Sequence, residues 1–263
     1  MKTCCFRRKI PVSEKTAEKE NTGQDIIIGR NALSEALRSG REIDTVFVAK
    51  GDRSGSIGAL LAKARENGLP VKEVDRRKLD FMCGGANHQG IAARAAAHTY
   101  ADIDDILKNA EDKGEEPFII ICDEIEDPHN LGAIIRTADA CGAHGVIIPK
   151  RRGVSLTYAV GKVAAGALEY VPVARVANLP SAIDELKEKG FWIYGADMDG
   201  KPWNEQDYSG KAALVIGSEG RGISRLVKEK CDFIVSLPMR GRINSLNASV
   251  AAGILMYEIT RNR

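Results

Sequence analysis

The chain has 263 residues, 44% of them hydrophobic, 28% charged and only 5% aromatic, with a formal net charge of +2. That length supplies one large or two ordinary domains with ample core material, and the balanced charge excludes a wholesale polycation while leaving room for a local basic surface. Six cysteines without C-x-x-C spacing and four histidines argue against a zinc site or a disulfide framework, and no metal is expected. The opening MKTCCFRRKIPVSEK lacks the apolar stretch of a signal peptide and no run approaches the roughly 18 apolar residues of a membrane span, so a cytoplasmic protein without a membrane partner is expected.

Residues 1–24 are polar, charged and without periodicity, and read as a disordered tail. A small α/β domain is expected over 25–97: a helix at Asn31–Arg38, a strand at Thr45–Ala49, a helix at Ile57–Asn67 stopped by Gly68, and strands at Val71–Val74 and Ile91–Ala95. Between 98 and 116 the sequence turns acidic and ends in DKGEEP, which reads as a weakly helical linker. A second domain over 117–263 opens with FIIIC (118–122). Helical patterns then alternate with GVIIP (145–149), VPVAR (171–175), FWIYG (191–195), ALVIG (213–217) and FIVSL (233–237). Short apolar runs between helices predict an α/β fold with a parallel sheet covered on both faces. The chain closes on a helix from about Leu246 to Arg261.

Three segments of the second domain follow strand ends, where open α/β sheets place their ligands. The first is DEIEDPHNLGAIIRTA (123–138), in which Leu131, Ile134, Ile135 and Ala138 recur at helical spacing. Asn130 suits the N-cap and Gly142 the stop, while Arg136 is either a solvated residue of that helix or a group that something charged must meet. The second is IGSEGRGIS (216–224), either a glycine-rich turn with Glu219 exposed or a close backbone approach to a ligand. Its order does not match the G-x-G-x-x-G dinucleotide fingerprint, and it lies late in the chain, which argues against a nicotinamide-dependent dehydrogenase. The third is LPMRGRINSLNASVAAG (237–253). Pro238 and Gly241 enforce an irregular loop, and Ser245, Asn247 and Ser249 crowd a helix start that capping alone would satisfy with one polar residue. Ala248, Ala251, Ala252 and Gly253 form a small-residue face on which another backbone can pack closely.

Taken in this order, the segments N-x-G-A-I-x-R-T-A, I-G-S-E-G-x-G and P-M-x-G-x-x-x-S-L-N-x-S resemble the motifs of the SpoU (TrmH-like) branch of the SPOUT RNA 2'-O-ribose methyltransferases. The resemblance covers about residues 116–263, with Ala248 standing where valine is commoner. The first block, with IIGRNAL near its start and HQGIA (88–92) near its end, resembles the RNA-binding domain that precedes it in the ribosomal-RNA guanosine enzymes of the family. The whole arrangement is similar to the bacterial 23S rRNA guanosine 2'-O-methyltransferases.

That resemblance implies a SPOUT domain with a deep trefoil knot, a rare exception to unknotted topology. It implies S-adenosyl-L-methionine as cofactor, held near Ile216, Gly217, Leu237, Met239 and Leu246, and attack of an RNA ribose 2'-hydroxyl on the sulfonium methyl group. The catalytic set carried over is Asn130, Arg136, Glu219, Ser245 and Asn247. Asn130 would position the arginine or the ribose, Glu219 would orient Asn130 or tie loop amides together, and Ser245 and Asn247 would sit beside the ribose and methyl group. A guanidinium with a pKa above about 12 makes a poor free base, so Arg136 is better suited to gripping the adjacent phosphate and the developing alkoxide. RNA contacts are expected from Arg30 and His88 in the first domain, from Lys150, Arg151 and Arg152 after a strand, and from Arg240, each of which could instead be a loop or solvated residue. Family members are usually homodimers, with the closing helix at the interface and the arginine of one subunit near the cofactor of the other. Two alternatives share the motifs: a transfer-RNA ribose methylase, and a non-catalytic RNA-binding ribosome-assembly protein that kept the fold.

Overall fold

In the computed structural model, residues 26–39, 41–52, 56–261 and 263 are described, and the charged tail expected over 1–24 lies outside them. The N-terminal unit runs β1 (Ile26–Ile28), α1 (Arg30–Arg38), β2 (Ile43–Ala49), α2 (Ile57–Glu66), β3 (Val71–Val74), α3 (Arg76–Met82) and β4 (Ile91–Ala95). Its sheet has the order β1-β4-β2-β3, with β4 antiparallel to β1 and β2, and β3 parallel to β2. Two of these elements escape a periodicity reading. Strand β1 is only three residues long, and α3 buries a single side chain, Leu79, so neither shows a stripe.

The weakly helical linker expected over 98–116 contains a regular helix, α4 (Ile103–Lys113). Its acidic composition conceals an amphipathic pattern: Ile103, Ile106 and Ala110 are buried on the second domain while the acids face outward. The Asp102 amide donates to Asp105 Oδ2 at 2.8 Å, and Asp104 and Asp105 in the first turn complement the helix dipole. Gly114, at φ 68°, ends it.

The second domain continues with β5 (Phe118–Cys122), α5 (Pro128–Ala140), β6 (Gly145–Pro149), α6 (Tyr158–Ala164), β7 (Val173–Val176), α7 (Leu179–Glu188), β8 (Trp192–Pro202), β9 (Ala212–Ile216), α8 (Arg225–Lys228), β10 (Phe233–Ser236) and α9 (Ala248–Thr260). The six strands are all parallel, in the order β10-β8-β9-β5-β6-β7. Along β5, Phe118, Ile120 and Cys122 face a core with α5, α6 and α9, while Ile119 and Ile121 face a second core with α4 and α7. Both faces are therefore apolar, which explains the unbroken FIIIC run. Strand β8 extends seven residues beyond the apolar FWIYG, because its polar half pairs with β10 across a register shift between Ile234 and Val235. Gly132 also finds its reason here. A Cβ at that point would lie 2.6 Å from Val163 Cβ and 2.9 Å from the Val160 carbonyl oxygen, so α5 and α6 touch where it stands.

A buried charge cluster joins the two domains. Asp44 of β2 is fully buried and receives Arg175 Nη1 of β7 at 2.9 Å, Tyr100 Oη at 2.8 Å and Ser155 Oγ at 2.8 Å. Arg175 Nη2 also donates to the Asp44 carbonyl at 3.0 Å, and its guanidinium lies 5.0 Å from the Tyr100 ring centre. Among the described residues, no helix is long and apolar enough to cross a membrane, and no group of three His, Cys, Asp or Glu side chains is disposed to hold a metal.

Candidate active site

Strand order reverses beside β5, whose neighbours are β6 on one side and β9 on the other, and the carboxyl ends of β9 and β10 open with the middle of β8 onto one crevice. Strand β9 leaves the sheet at Gly217, where the returning backbone crosses directly above it. A Cβ there would lie 2.1 Å from the Gly222 carbonyl carbon and 2.3 Å from Ile223 N, so only glycine fits. Mutual hydrogen bonds of Ser218 and Gly222, at 3.0 and 2.9 Å, close the loop between them. Its far end is tied to β5 by Ser224 N, which donates to Oδ2 of the buried Asp123 at 2.7 Å.

The crevice between this loop, the middle of β8 and the segment leading from β10 to α9 is walled by Ile216, Val235, Leu237, Leu246, Ala251 and Leu255. All five residues expected to hold a cofactor, Ile216, Gly217, Leu237, Met239 and Leu246, line it, as do Glu219 and Ser245. Sequence reasoning missed the opposite wall, Ala196, Asp197 and Met198 of β8, because the apolar pattern of that strand ends at Gly195. Asp197 lies 3.0 Å from Lys228 Nζ, and hydrogen bonding to that carboxylate raises the lysine pKa. The hydroxyl of Ser218 is buried on the crevice wall and has no hydrogen-bond partner among the described residues.

Three polar side chains from three segments meet at the rim. Asn130 Nδ2 donates to Glu219 Oε1 at 2.9 Å, Asn247 Nδ2 donates to Asn130 Oδ1 at 2.9 Å, and Asn247 Nδ2 also donates to Glu219 Oε1. Asn247 doubles as the N-cap of α9, its Oδ1 accepting from Ser249 N at 3.0 Å and Val250 N at 3.3 Å. Asn130 is not the N-cap expected for α5. Pro128 takes the first helical position, which moves the cap back to Asp127, whose side chain accepts from His129 N at 2.9 Å. Asn130 thereby falls in the first turn, buried, with its amide free to face Glu219.

The other expected residues are more dispersed. Ser245 lines the crevice but takes no part in the polar triangle. Arg136 is exposed on α5, is not among the residues that line the crevice, and has no ion-pair partner among the described residues. Its neighbour Thr137 packs towards Gly253 of α9, so Arg136 borders the helix that exposes Val250, Ile254 and Tyr257. Arg240 is exposed in the loop beyond β10. Arg30 is spent on its own domain, donating from Nε to the Gln89 carbonyl at 3.1 Å. His88 corrects the expectation of an RNA contact: it is 3% exposed, with Nε2 2.9 Å from Asp80 Oδ1 and Nδ1 accepting from Gly90 N at 3.0 Å, a purely internal use of both ring nitrogens. Lys150, Arg151 and Arg152 line a cleft between the domains.

Comparison with known proteins matches residues 117–257 to the SpoU rRNA Methylase family and residues 26–101 to the RNA 2'-O ribose methyltransferase substrate binding domain. The chain belongs to the SpoU methylase family. It is 51% identical over 240 residues to YacO of Bacillus subtilis (strain 168), assigned to the TrmH family of tRNA/rRNA methyltransferases, covering 91% of this chain and 96% of YacO. Among solved structures, the AdoMet-bound rRNA methyltransferase of Sinorhizobium meliloti is similar over 90% of this chain and 87% of its own, at 26% identity and a TM-score of 0.57. The TrmH/SpoU tRNA modifying enzyme of A. aeolicus is 32% identical but covers only 57% of this chain and 76% of its own, with a TM-score of 0.52. This SpoU protein thus carries both family domains, the substrate-binding one and the methylase one.

Proposed function

We propose that this protein is a homodimeric, cytoplasmic RNA methyltransferase that uses S-adenosyl-L-methionine to methylate the ribose 2'-hydroxyl of a guanosine in 23S rRNA. The observation that carries the reading is the convergence of Asn130, Glu219 and Asn247, one from each motif, at the rim of an apolar crevice. The crevice fits the cofactor. Val235, Leu237, Leu246 and Leu255 offer an apolar slot for a flat base, and the Ser218 hydroxyl, without a partner among the described residues, and the backbone at Gly217 offer polar groups to orient it. When bound, S-adenosylmethionine supplies an electrophilic methyl group, so the protein has chiefly to align the attacking oxygen and stabilise charge. Alignment alone is worth several kcal/mol, on the order of 7 or more in well-oriented systems.

In this reading the Asn130–Glu219–Asn247 triangle holds the ribose side of the crevice, and Ser245 stands beside the reacting hydroxyl. Arg136, permanently protonated, serves a phosphate and the developing alkoxide rather than acting as a free base. Its exposure on α5, outside the lining of its own crevice, suits action in the crevice of a second subunit. The exposed stripe of Val250, Ile254 and Tyr257 on adjoining α9, at spacings of four and three, supports such a dimer. The trefoil knot implied by the motifs belongs to the same proposal, supported by the backbone crossing over Gly217.

The ribosomal target is favoured over a transfer-RNA one because the S. meliloti rRNA enzyme aligns along both domains, whereas the A. aeolicus tRNA enzyme covers little more than half of the chain. Mapping ribose methylation across ribosomal and transfer RNA from cells with and without the gene tests this. Loss of one methylated guanosine in 23S rRNA is expected; loss confined to transfer RNA would reassign the substrate.

A further inference from the structure

The two domains face each other across a cleft that the active-site reading does not use. Among the described residues, seven cations line it, Arg65, Lys72, Arg94, Lys150, Arg151, Arg152 and Arg175, against a single acid, Glu126. Two of the seven are already engaged: Arg175 by the buried Asp44, and Arg152, whose Nη1 lies 3.5 Å from Glu124. Glu126 in turn faces Arg221 at 3.4 Å. Among the described residues, Arg65, Lys72 and Arg94 on one wall and Lys150 and Arg151 on the other have no ion-pair partner. Like charges set across a gap repel one another, and a polyanion laid between them removes that cost.

We propose that this cleft is a preformed track for the phosphodiester backbone of RNA, with Arg65, Lys72 and Arg94 facing Lys150 and Arg151 across it. The proposal rests on the reading of the protein as an RNA enzyme and adds where, and by which groups, the RNA is gripped. The Asp44–Arg175–Tyr100–Ser155 cluster fixes the width of the cleft, since its hydrogen bonds join β2 of one domain to β7 of the other. Lys150 reaches across, its Nζ 3.7 Å from the position of a Cβ on Gly68. Aromatic platforms for unstacked bases are absent from the described lining: Phe47 is buried, and Arg94 covers its ring at 5.7 Å. The cleft therefore reads backbone and shape, leaving base choice to the crevice. A relay connects the two, because Arg152 meets Glu124, Glu124 meets Arg221 at 3.5 Å, and Arg221 lines the crevice.

The test compares two double variants of equal charge change in the same domain. Arg65→Ala with Lys72→Ala removes cleft cations; Arg77→Ala with Lys78→Ala removes exposed cations of α3 outside the cleft. Binding of a fluorescent RNA hairpin is measured by anisotropy over a range of potassium chloride. The cleft pair is expected to reduce the slope of log affinity against log salt by about two, one for each lost phosphate contact, and the α3 pair to leave it at the wild-type value. Equal reductions in both variants, or none in the cleft variant, overturn the proposal. Methyl transfer by the wild-type protein is measured separately: its absence counts against the enzymatic reading without touching the slope comparison, and its presence with an unchanged cleft slope counts against the cleft alone.

Discussion

Asn130 and Glu219, 89 positions apart in the chain, meet side chain to side chain at 2.9 Å, at a point where the first turn of α5 faces the loop after β9. Asn247 completes the contact from a third segment and at the same time caps α9. One carboxylate thus fixes the relative placement of all three motifs, which makes it the most informative single position to change.

Glu219→Ala removes the acceptor shared by Asn130, Asn247 and the Ala248 amide. Losing hydrogen bonds to a charged acceptor is worth about 1.5–3 kcal/mol, so kcat is expected to fall about 10- to 100-fold. The melting temperature should fall as well, because the buried Asn130 amide loses its acceptor, so kcat is measured well below the melting range. A wild-type kcat in this variant would leave the triangle without a part in the reaction.

Arg136→Ala should leave folding intact, within about 0.5 kcal/mol for an exposed side chain, yet abolish most single-turnover methyl transfer. If the arginine serves the other subunit, mixing the impaired Arg136→Ala and Glu219→Ala dimers rebuilds one complete site in each mixed dimer. After random exchange, activity should recover to about a quarter of wild type. Failure to recover, with exchange verified by mass, would place the arginine in its own subunit's site.

Asp44→Asn leaves the Arg175 guanidinium buried without its counter-charge, since their side chains are only 1% and 8% exposed. Removing one partner of such a pair costs about 3–5 kcal/mol, while replacing both with apolar residues is often neutral. Thermal scans should show Asp44→Asn melting well below wild type and the Asp44→Leu/Arg175→Met double variant melting above the single one. A single variant as stable as wild type would mean that the cluster does not hold the domains together.

His144 gives the protein an acid-sensitive element. It is buried, its Nδ1 accepts from Phe118 N at 3.0 Å, and its Nε2 lies 3.1 Å from Glu115 Oε2. Burial, with Lys113 nearby, lowers its pKa below the usual 6.5, so the unfolded chain takes up the proton more readily than the folded one. The associated stability is present above pH 6.5 and is lost as the pH falls from there through the lowered value. Urea midpoints should therefore drop more steeply below that pH for wild type than for His144→Gln; parallel curves would remove His144 from the acid response.

What the sequence revealed, and what it hid, follows from the range of the interactions. The β5 run FIIIC and the Leu131, Ile134, Ile135, Ala138 stripe were legible because period and burial are local properties. The residues of the triangle were legible as members of recognisable motifs, but Asn130 as a cap was not, because Pro128 shifted the helix start by three residues. Asp123 reaches Ser224 across 101 positions, and Arg65 faces Lys150 only once two domains have docked, so no local pattern announces either. His88 misled for the opposite reason: a polar loop in sequence folds over and buries its imidazole.

The most direct test of the central claim is transfer of a tritiated methyl group from S-adenosylmethionine to unmethylated ribosomal RNA, followed by alkaline hydrolysis. A 2'-O-methyl group blocks cleavage at its own phosphodiester, so the account predicts label in an alkali-resistant dinucleotide that yields 2'-O-methylguanosine on enzymatic digestion. Label in a base-methylated nucleoside, or no transfer by a protein that still binds S-adenosylhomocysteine, would contradict it.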